Sequence, residues 1–420
     1  MWSATPHGPS GAAAPSSDRS DRADGPRETD PARAGDEERN GRPRQGRGRD
    51  PADPLSVVAV TAFRAEEVVN STLGMDATTH VVTLEADLNP LAKARAATRQ
   101  TRRAIRAHDP DLLLLDSYGT VGAPAAAVAS RYDVPVVARL VSDIWRRLDE
   151  ERVSPAREAR DVGTYLTARL NRGLTGFALD RASGFVAVTR EIREEVLRHT
   201  DCPPDRVAVV PVPVTVDTDR QGSAERGRRS LGLACERVLL TVTNLGYEGK
   251  FEGIKHAVRE LAPLLRDDAD LGYVVAGGGE FHGAFVDFLD ETFPDPAVRE
   301  RVRAPGYVDG VADLYALADA FVYVSHIDGY PNAVLEAQTA GLPVVANAAH
   351  GMRDQITDGE TGRLVDGTAE EAVRSAVAGL LSDDERRRRL GEAARERVRR
   401  ENDPEAVSRQ LEAFLTELFG

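Results

Sequence analysis

The 420-residue chain contains few cysteines and aromatics, very little lysine and no long apolar run. Its two cysteines, Cys202 and Cys235, follow no C-x-x-C or zinc-ligand spacing, so the sequence indicates neither a disulfide framework nor a zinc knuckle. No apolar stretch approaches the roughly 18 residues that a transmembrane helix needs, and the first residues include no hydrophobic signal region. We therefore expect a cytoplasmic protein.

The chain also lacks an excess of positive charge. It has 68 acidic against 54 basic residues and a formal net charge of −14. Because an acidic protein repels the phosphate backbone, we expect no nucleic-acid partner. Its basic residues are arginines except for Lys93, Lys250 and Lys255, and this excess of arginine and acid is typical of a GC-rich genome with an acidic proteome. With lysine so rare, the placement of each one is informative.

The order of apolar runs along the chain predicts its architecture. Residues 1–54 have almost no large apolar side chains, and we predict that they form a disordered tail. Short apolar runs then alternate with helical stretches, which is typical of a parallel sheet covered on both faces, and the alternation restarts at residue 237. We predict an α/β fold of two Rossmann-like, doubly wound domains, 55–216 and 217–400, facing across a cleft. A final helix, 401–420, is placed to cross back to the first domain.

The stretch DAFVYVSHIDGYPNAVLEA combines a buried strand, a loop and a helix in direct succession. Pro331 suits the first turn of a helix, and the backbone amides after it would face a ligand with the helix dipole behind them, as anion sites do. Asp328 lies in the loop beside Gly329, and Glu336 lies deeper along the helix, where a carboxylate could accept hydrogen bonds from sugar hydroxyls. On spacing alone, the simpler interpretation is that both acids are ordinary polar residues near a helix start.

A second stretch, TVTNLGYEGKFEGIKHAV, contains two of the three lysines at a strand end, a glycine-bearing loop and a helix start. Lysine binds phosphate as a compact point charge. In a chain that otherwise uses arginine, Lys250 at this turn indicates a phosphate site, whereas chance placement on a solvated helix face is the alternative. For Lys255 the two interpretations are equally good. The glycine triplet in AGGGE, also directly after a strand, is a weaker sign of close backbone approach.

Taken in order, these stretches resemble the nucleotide-sugar-binding domain of the family-4 glycosyltransferases, which have the two-domain GT-B fold. The segment S-x-x-D-G-Y-P-N-A-V-L-E-A-x-x-A-G-L-P-V-V-A is similar to a signature with two glutamates eight residues apart, where this chain has Asp328 and Glu336. VTNLGYEGK resembles a diphosphate-binding segment with an arginine and a lysine six apart, where this chain has Asn244 and Lys250. The resemblance is good over roughly residues 180–400 and loose over 55–180.

The resemblance implies a retaining, metal-independent glycosyltransferase that uses a UDP- or GDP-linked sugar and no further cofactor. Glu336 would bind the ribose hydroxyls, Asp328 would contact the transferred sugar, and Lys250 would neutralise the diphosphate leaving group. Main chain near Tyr307 and Val308 would hold the base, and backbone amides around Tyr330 to Ala333 would assist Lys250. The other implied donor contacts are Asn244, Gly278, Gly329, Pro331 and Asn332. The acceptor is not identified and could be a glycan, a lipid-linked molecule or a polysaccharide precursor.

The chain departs from the family pattern at several positions. Asn244 removes one positive charge from the leaving-group clamp, and Asp328 is one methylene shorter than glutamate. In the first domain, Arg139 and Asp143 stand near a strand end and are our candidates for the acceptor side. Asn244 is the best argument for an alternative, a catalytically weak GT-B protein that binds nucleotide sugar as a sensor or assembly partner. A nucleotide-sugar epimerase is a third hypothesis that the ordered motifs favour less.

A peripheral membrane role is a further alternative. The stretch 156–181 places basic and apolar side chains together: Arg157, Arg160, Arg169 and Arg172 with Tyr165, Leu166, Leu170 and Phe177. An ordinary amphipathic surface helix explains this pattern more simply, and the net negative charge of the chain opposes adhesion to an anionic bilayer. We therefore expect at most a weak peripheral contact at the inner face of the membrane.

Overall fold

The computed structural model describes residues 53–62, 65–84, 88–146, 148, 162–214 and 222–419. These residues all belong to one compact unit, residues 46–420. The predicted disorder of the tail falls almost entirely outside the described residues. So do two arginines of the predicted membrane-facing stretch, Arg157 and Arg160.

The first half of the described chain forms one parallel sheet. Its strands are β1 (Ser56–Thr61), β2 (Thr78–Thr83), β3 (Leu112–Leu115), β4 (Val136–Leu140), β5 (Ala182–Ala187) and β6 (Val207–Val209). They pair in the order β2-β1-β3-β4-β5-β6, and every pairing is parallel. The apolar runs form buried strands because helices cover both faces of the sheet.

Its described helices are α1 (Ala65–Thr72), α2 (Pro90–His108), α3 (Gly119–Arg131), α4 (Val162–Leu179) and α5 (Arg190–His199), with a short 3₁₀ turn at Pro204–Arg206. Local signals set two of the helix starts. The side chain of Asn89 accepts a hydrogen bond from the Ala92 amide ahead of α2, and that of Thr189 accepts one from the Ile192 amide ahead of α5. The Thr189 cap brings the start of α5 to the carboxyl edge of the sheet.

The second half repeats the plan. Its strands are β7 (Arg237–Val242), β8 (Leu271–Ala276), β9 (Val302–Gly306), β10 (Ala320–Tyr323), β11 (Val344–Asn347) and β12 (Gly362–Val365). All are parallel, in the order β12-β11-β10-β7-β8-β9. The strand order reverses between β7 and β10, and open α/β sheets bind ligands at such a switch point, outside the carboxyl ends of the strands.

The described helices of this half include a long C-terminal pair. They are α6 (Ala224–Leu231), α7 (Glu248–Asp267), α8 (His282–Thr292), α9 (Pro296–Arg299), α10 (Ala312–Leu317), α11 (Asn332–Thr339), α12 (Met352–Gln355), α13 (Ala372–Leu381), α14 (Asp384–Glu401) and α15 (Pro404–Phe419). Helix α15 packs on the first sheet, where Val407, Leu411 and Leu415 share a core cluster with Val57 and Ala59. The chain therefore returns to its first half between α14 and α15.

Two parallel six-stranded sheets, each with helices on both faces, confirm the predicted α/β fold with two Rossmann-like halves. Over the residues described, the structure contains no helix that is both long enough and apolar enough to span a bilayer.

Candidate functional site

A cleft of about 290 Å³ lies between the carboxyl edges of the two sheets. Segments that follow β4 and β5 form its first-half wall, and segments that follow β7, β10 and β11 form the opposite wall. The residues that line it include Ser142, Asp143, Arg146, Thr189, Glu191, Tyr247, Lys250, Asp328, Gly329 and His350. Four predicted site residues, Asp143, Lys250, Asp328 and Gly329, therefore meet in this cleft.

Lys250 and Asp328 form an ion pair at the switch point of the second sheet. Lys250 lies in the first turn of α7, and its Nζ is 2.7 Å from Oδ2 of Asp328, with both side chains mostly buried. The hydroxyl of Tyr323, at the end of β10, donates a 2.5 Å hydrogen bond to the same oxygen. Burial, together with the adjacent carboxylate, holds the pKa of Tyr323 far above its ordinary value, so the phenol stays a hydrogen-bond donor.

Glu336 lies in the second turn of α11 and is held by a second tyrosine. The hydroxyl of Tyr315, on α10, donates a 2.7 Å hydrogen bond to its Oε2. Burial raises the pKa of Glu336, and this hydrogen bond acts in the opposite direction by favouring the ionised form. An ionised carboxylate has about four lone-pair sites, so one bond from Tyr315 leaves it able to accept hydrogen bonds from a pair of hydroxyls.

Asn244 lies in an exposed loop that packs against the glycine triplet. Its Oδ1 accepts a 2.8 Å hydrogen bond from the Gly246 amide, and the next residue, Leu245, donates its amide to the Gly278 carbonyl at 2.9 Å. At Gly277, φ is 137°, and a Cβ there would lie 1.6 Å from the Thr243 carbonyl oxygen. At Gly279 a Cβ would lie 2.3 Å from the Gly246 nitrogen, so Gly277 and Gly279 are both required for close approach of the loops that follow β7 and β8.

The predicted base-binding residues lie at the edge of this arrangement. Tyr307 is 81% exposed, and its Cβ lies 3.7 Å from the position a Cβ would take at Gly278. Val308 is partly buried and packs on a core cluster of the second half. The Tyr307 ring is therefore free to meet a flat ligand group beside the glycine loop.

The loop before α11 meets the first half of the chain directly. A Cβ at Gly329 would lie 2.3 Å from the Val141 carbonyl oxygen and 2.9 Å from the Ser142 Cα, so glycine is required for this contact. The side chain of Tyr330 is buried among first-half residues, and its hydroxyl accepts a hydrogen bond from Asn402. Only the backbone of Tyr330 is therefore left to serve a donor.

The N-terminus of α11 is built largely as predicted. Pro331 precedes the helix and supplies no side-chain cap. The amides of Asn332 and Ala333 are the first two of the helix and have no intrahelical partner by position. The amide of the third residue, Val334, donates to the Pro331 carbonyl at 3.1 Å, so it is not available to a ligand.

Of the two acceptor-side candidates, Asp143 lines the cleft and Arg139 does not. Asp143 lines the cleft, and its Oδ1 accepts a 2.9 Å hydrogen bond from the Arg146 amide. Arg139 does not line the cleft, and the prediction for it was wrong: its side chain is 1% exposed and pairs with Glu67 and Asp116, each at 2.8 Å. Arg139 lies within β4, which is buried along its whole length, and the carboxylates of Glu67 and Asp116 compensate its buried charge.

A contact across the cleft joins residues that the motifs did not single out together. His350, which has a left-handed φ of 51°, places Nδ1 3.4 Å from Oε1 of Glu191 and Nε2 2.9 Å from the His326 carbonyl oxygen. Arg146 donates to that same carbonyl at 3.1 Å. The Glu191 carboxylate raises the pKa of His350, and the imidazole in turn lowers the pKa of Glu191. The Glu191 carboxylate thus favours the protonated form of His350, which can donate at both nitrogens, and the contact links the two halves.

The two tyrosines that donate hydrogen bonds to Glu336 and Asp328 were not predicted as site residues, although the sequence contains one general signal for them. Tyr315 and Tyr323 lie in the apolar run LYALADAFVY, where tyrosine fits a core position. A buried tyrosine hydroxyl needs a hydrogen-bond partner, however, so each of these tyrosines predicts a polar partner nearby in the fold. That rule does not choose among the acids around the run, because Asp313 and Asp319 are nearer in sequence than Asp328 and Glu336.

Comparison with known proteins agrees with this geometry. The profile of "Glycosyl transferases group 1" matches residues 225–397, and that of "Glycosyltransferase Family 4" matches residues 57–218. This chain belongs to glycosyltransferase family 4. The two profiles meet near the segment that joins the two sheets.

Curated relatives of this family-4 member include two proteins named D-inositol 3-phosphate glycosyltransferase. One, from Corynebacterium glutamicum, is 31% identical over 53% of this chain and 54% of its own length. Another, from Corynebacterium diphtheriae, is 32% identical over 51% of this chain and 52% of its own length. The chain thus spans about half the length of these relatives.

Solved structures share the fold. Anabaena Alr3699/HepE, determined with UDP and glucose, has a TM-score of 0.64 at 16% identity and covers 86% of this chain and all of its own. Sucrose-phosphate synthase from Thermosynechococcus elongatus has a TM-score of 0.66 at 17% identity, covering 87% and 99%. The predicted GT-B architecture is confirmed.

Proposed function

We propose that this family-4 member transfers a sugar from a nucleotide-diphospho-sugar to an acceptor hydroxyl. The observation that carries the proposal is the Lys250–Asp328 pair, which lies at the switch point of the second sheet and opens into the cleft. Departure of a nucleoside diphosphate builds negative charge, and a preorganised cation aimed at that charge lowers the barrier. Asp328, beside the cation, would face the positive charge that develops on the sugar.

The proposed donor is a UDP-sugar, with GDP-sugars as the second choice. Glu336 would accept hydrogen bonds from the ribose hydroxyls, and Tyr307 would lie beside the base. A UDP-sugar is favoured because HepE, which shares the fold, has been determined with UDP and with UDP-glucose.

We further propose that transfer proceeds with retention and needs no metal ion. Lys250 and the first amides of α11 would supply the positive charge that a divalent cation supplies elsewhere. The proposal predicts that turnover survives an excess of EDTA and that the product has the anomeric configuration of the donor.

For the acceptor we propose a small polyol that carries a phosphate, with D-inositol 3-phosphate as the first probe. The proposal rests on the curated relatives, which are named for D-inositol 3-phosphate, and on the first-half wall of the cleft. That wall presents the side chains of Ser142, Asp143 and Thr189, which suit hydroxyl groups, and the guanidinium of Arg146.

A weak peripheral membrane contact stays a prediction. Leu166 and Leu170 are exposed on α4, one helical turn apart. Sedimentation with anionic vesicles at low and high salt tests it, and absence of the protein from the low-salt pellet would contradict it.

A second candidate is a catalytically weak protein that binds nucleotide sugar without efficient turnover. One observation favours it: the neutral side chain of Asn244 accepts a hydrogen bond from the Gly246 amide. The Asn244 position therefore adds no cation to Lys250. A single cation would stabilise the leaving group less than two.

The test uses the purified full chain with UDP-glucose, UDP-N-acetylglucosamine and GDP-mannose, each with and without D-inositol 3-phosphate. The products are analysed by NMR, which reads both the linkage and the anomeric configuration. Acceptor-dependent release of nucleoside diphosphate with retention supports the transferase. Tight binding with no turnover supports the second candidate, and conversion of the sugar without acceptor points to an epimerase.

A further inference from the structure

The two points at which the chain passes between its halves meet at one side chain, Asn402. The first passage leaves the first half after Val212–Val214, and the second is the turn between α14 and α15, where Asn402 lies. The backbone carbonyl of Asn402 accepts the Val214 amide at 2.8 Å, and its Nδ2 donates to the Val212 carbonyl at 2.8 Å. Asn402 is 4% exposed, so these contacts are made inside the protein.

The same amide nitrogen also reaches the donor loop. Nδ2 of Asn402 donates to the Tyr330 hydroxyl at 2.9 Å, and Tyr330 is 7% exposed. Because an amide nitrogen carries two hydrogens, the Val212 and Tyr330 contacts use its full donor capacity. Tyr330 follows Gly329, which packs against Val141 and Ser142 of the first half, and Asp328 precedes both.

A second series of hydrogen bonds connects helix α14 to Pro331, the next residue of the loop. Arg397, on α14, donates to the Asp354 carbonyl at 2.6 Å and to the Gln355 carbonyl at 3.1 Å. The side chain of Gln355 then donates to the Pro331 carbonyl at 3.0 Å. The N-terminus of α11 is therefore held by the same C-terminal segment that contains Asn402.

We propose that Asn402 is a positioning residue for the donor site. Through Tyr330 it fixes the loop 328–331 relative to both interdomain passages, so that Asp328 keeps its place when the halves close on substrate. Hinge segments that absorb domain motion commonly lie far from the chemistry they control. The kinetic consequence rests on the proposed function, whereas the effect on loop order does not.

Two substitutions separate the contacts of Asn402. Tyr330→Phe removes only the link to the loop, while Asn402→Ala also leaves the Val212 carbonyl without this partner. Ser408→Ala is the matched control, because Ser408 is a fully buried residue of α15 that hydrogen-bonds first-half backbone at Gly74 and lies away from the donor loop. It is expected to lower the melting temperature only.

The experiment measures hydrogen exchange of residues 326–334 in the full chain without any ligand. We expect at least about tenfold faster exchange there in Tyr330→Phe and Asn402→Ala, because both variants lose a buried hydrogen bond that holds the loop. Exchange of β1 in these variants, and of residues 326–334 in the Ser408→Ala control, should be unchanged. A melting temperature lowered in both variants, with unchanged exchange over 326–334, would show a merely structural role and overturn the proposal.

Steady-state kinetics with the preferred donor give the second readout. We expect kcat to fall roughly tenfold in Tyr330→Phe with the donor KM changed by less than about twofold, and the double variant to be no slower than Asn402→Ala, because contacting residues are not additive. An unchanged kcat in both single variants would also overturn the proposal. Wild-type protein that turns over no donor would contradict the proposed function instead, and hydrogen exchange would still decide the role of Asn402.

Discussion

The ammonium of Lys250 and the carboxylate of Asp328 lie 2.7 Å apart, at the carboxyl ends of the neighbouring strands β7 and β10. The two residues come from segments that follow different strands, and the hydroxyl of Tyr323 donates a hydrogen bond to the carboxylate. Desolvating two charges is costly unless they are paired and hydrogen-bonded. A mostly buried, cleft-facing ion pair at a switch point is the arrangement expected of a site that handles a charged ligand.

Replacing Lys250 tests the role of this cation. We expect Lys250→Met to lower kcat by about 100-fold, because removing one preorganised group that stabilises the developing charge typically costs 10²–10³. Lys255→Met is the matched control: it lies on the same helix but pairs with Glu252 and lies over the Phe251 ring. Steady-state release of nucleoside diphosphate measures both. Equal losses in the two variants would contradict a specific role for Lys250.

Restoring the family's arginine tests the second candidate function. Asn244 is exposed, so an arginine there needs no new space, and it would add a second positive charge beside the diphosphate. We expect Asn244→Arg to raise kcat/KM by about tenfold, since a hydrogen bond to a charged group contributes about 1.5–3 kcal/mol. Asn244→Ala controls for loss of the Gly246 contact. A variant no faster than wild type would show that the single cation already suffices.

The pH dependence of donor affinity tests the role of Glu336. Its ionised form is the one that accepts hydrogen bonds, and burial raises its pKa. Affinity should therefore be complete well above that raised pKa and be lost as pH falls through it, at a higher pH than for an ordinary glutamate. Tyr315→Phe removes a hydrogen bond that favours the ionised form, so it should move this loss to still higher pH. Calorimetric titration with UDP between pH 4 and 8 measures the pH at which affinity is lost in each protein. Identical profiles would contradict the assignment.

Gly329 tests whether the observed contact between the halves is needed for turnover. Gly329→Ala places a Cβ 2.3 Å from the Val141 carbonyl oxygen, so the two walls of the cleft must separate. We expect a loss of roughly 10²-fold in kcat, because small displacements of a positioned group cost about that much. Gly283→Ala, where the added Cβ meets nothing within 4 Å, is the control. Turnover that survives Gly329→Ala would show that this contact is dispensable.

Much of the fold and the centre of the site could be predicted because they follow from local pattern. Continuous apolar runs such as LLLL of β3, bounded by polar and turn residues and alternating with helical stretches, are typical of strands covered on both faces. Lys250 and Asp328 each follow a strand, and carboxyl ends of parallel strands meet at one edge, so their proximity was predictable without knowing the strand order.

The remaining features depend on contacts between distant parts of the sequence. Arg139 was placed correctly near a strand end, but its partners Glu67 and Asp116 come from α1 and the end of β3, and they hold it in the core. The burial of the Tyr330 side chain was not predicted, because its hydroxyl partner, Asn402, is 72 residues away in sequence. Such pairings depend on how the layers pack, which strand and helix patterns do not specify.

The most direct test of the central claim is calorimetric binding of UDP and GDP to the wild-type chain, to Glu336→Ala and to Glu291→Ala, an exposed control on α8. We predict binding of at least one nucleotide by the wild type and the control, and an affinity lower by about 10- to 100-fold in Glu336→Ala, because hydrogen bonds to a charged group contribute about 1.5–3 kcal/mol. Folded wild-type protein that binds neither nucleotide, or a Glu336→Ala variant that binds as tightly as the control, would contradict the account.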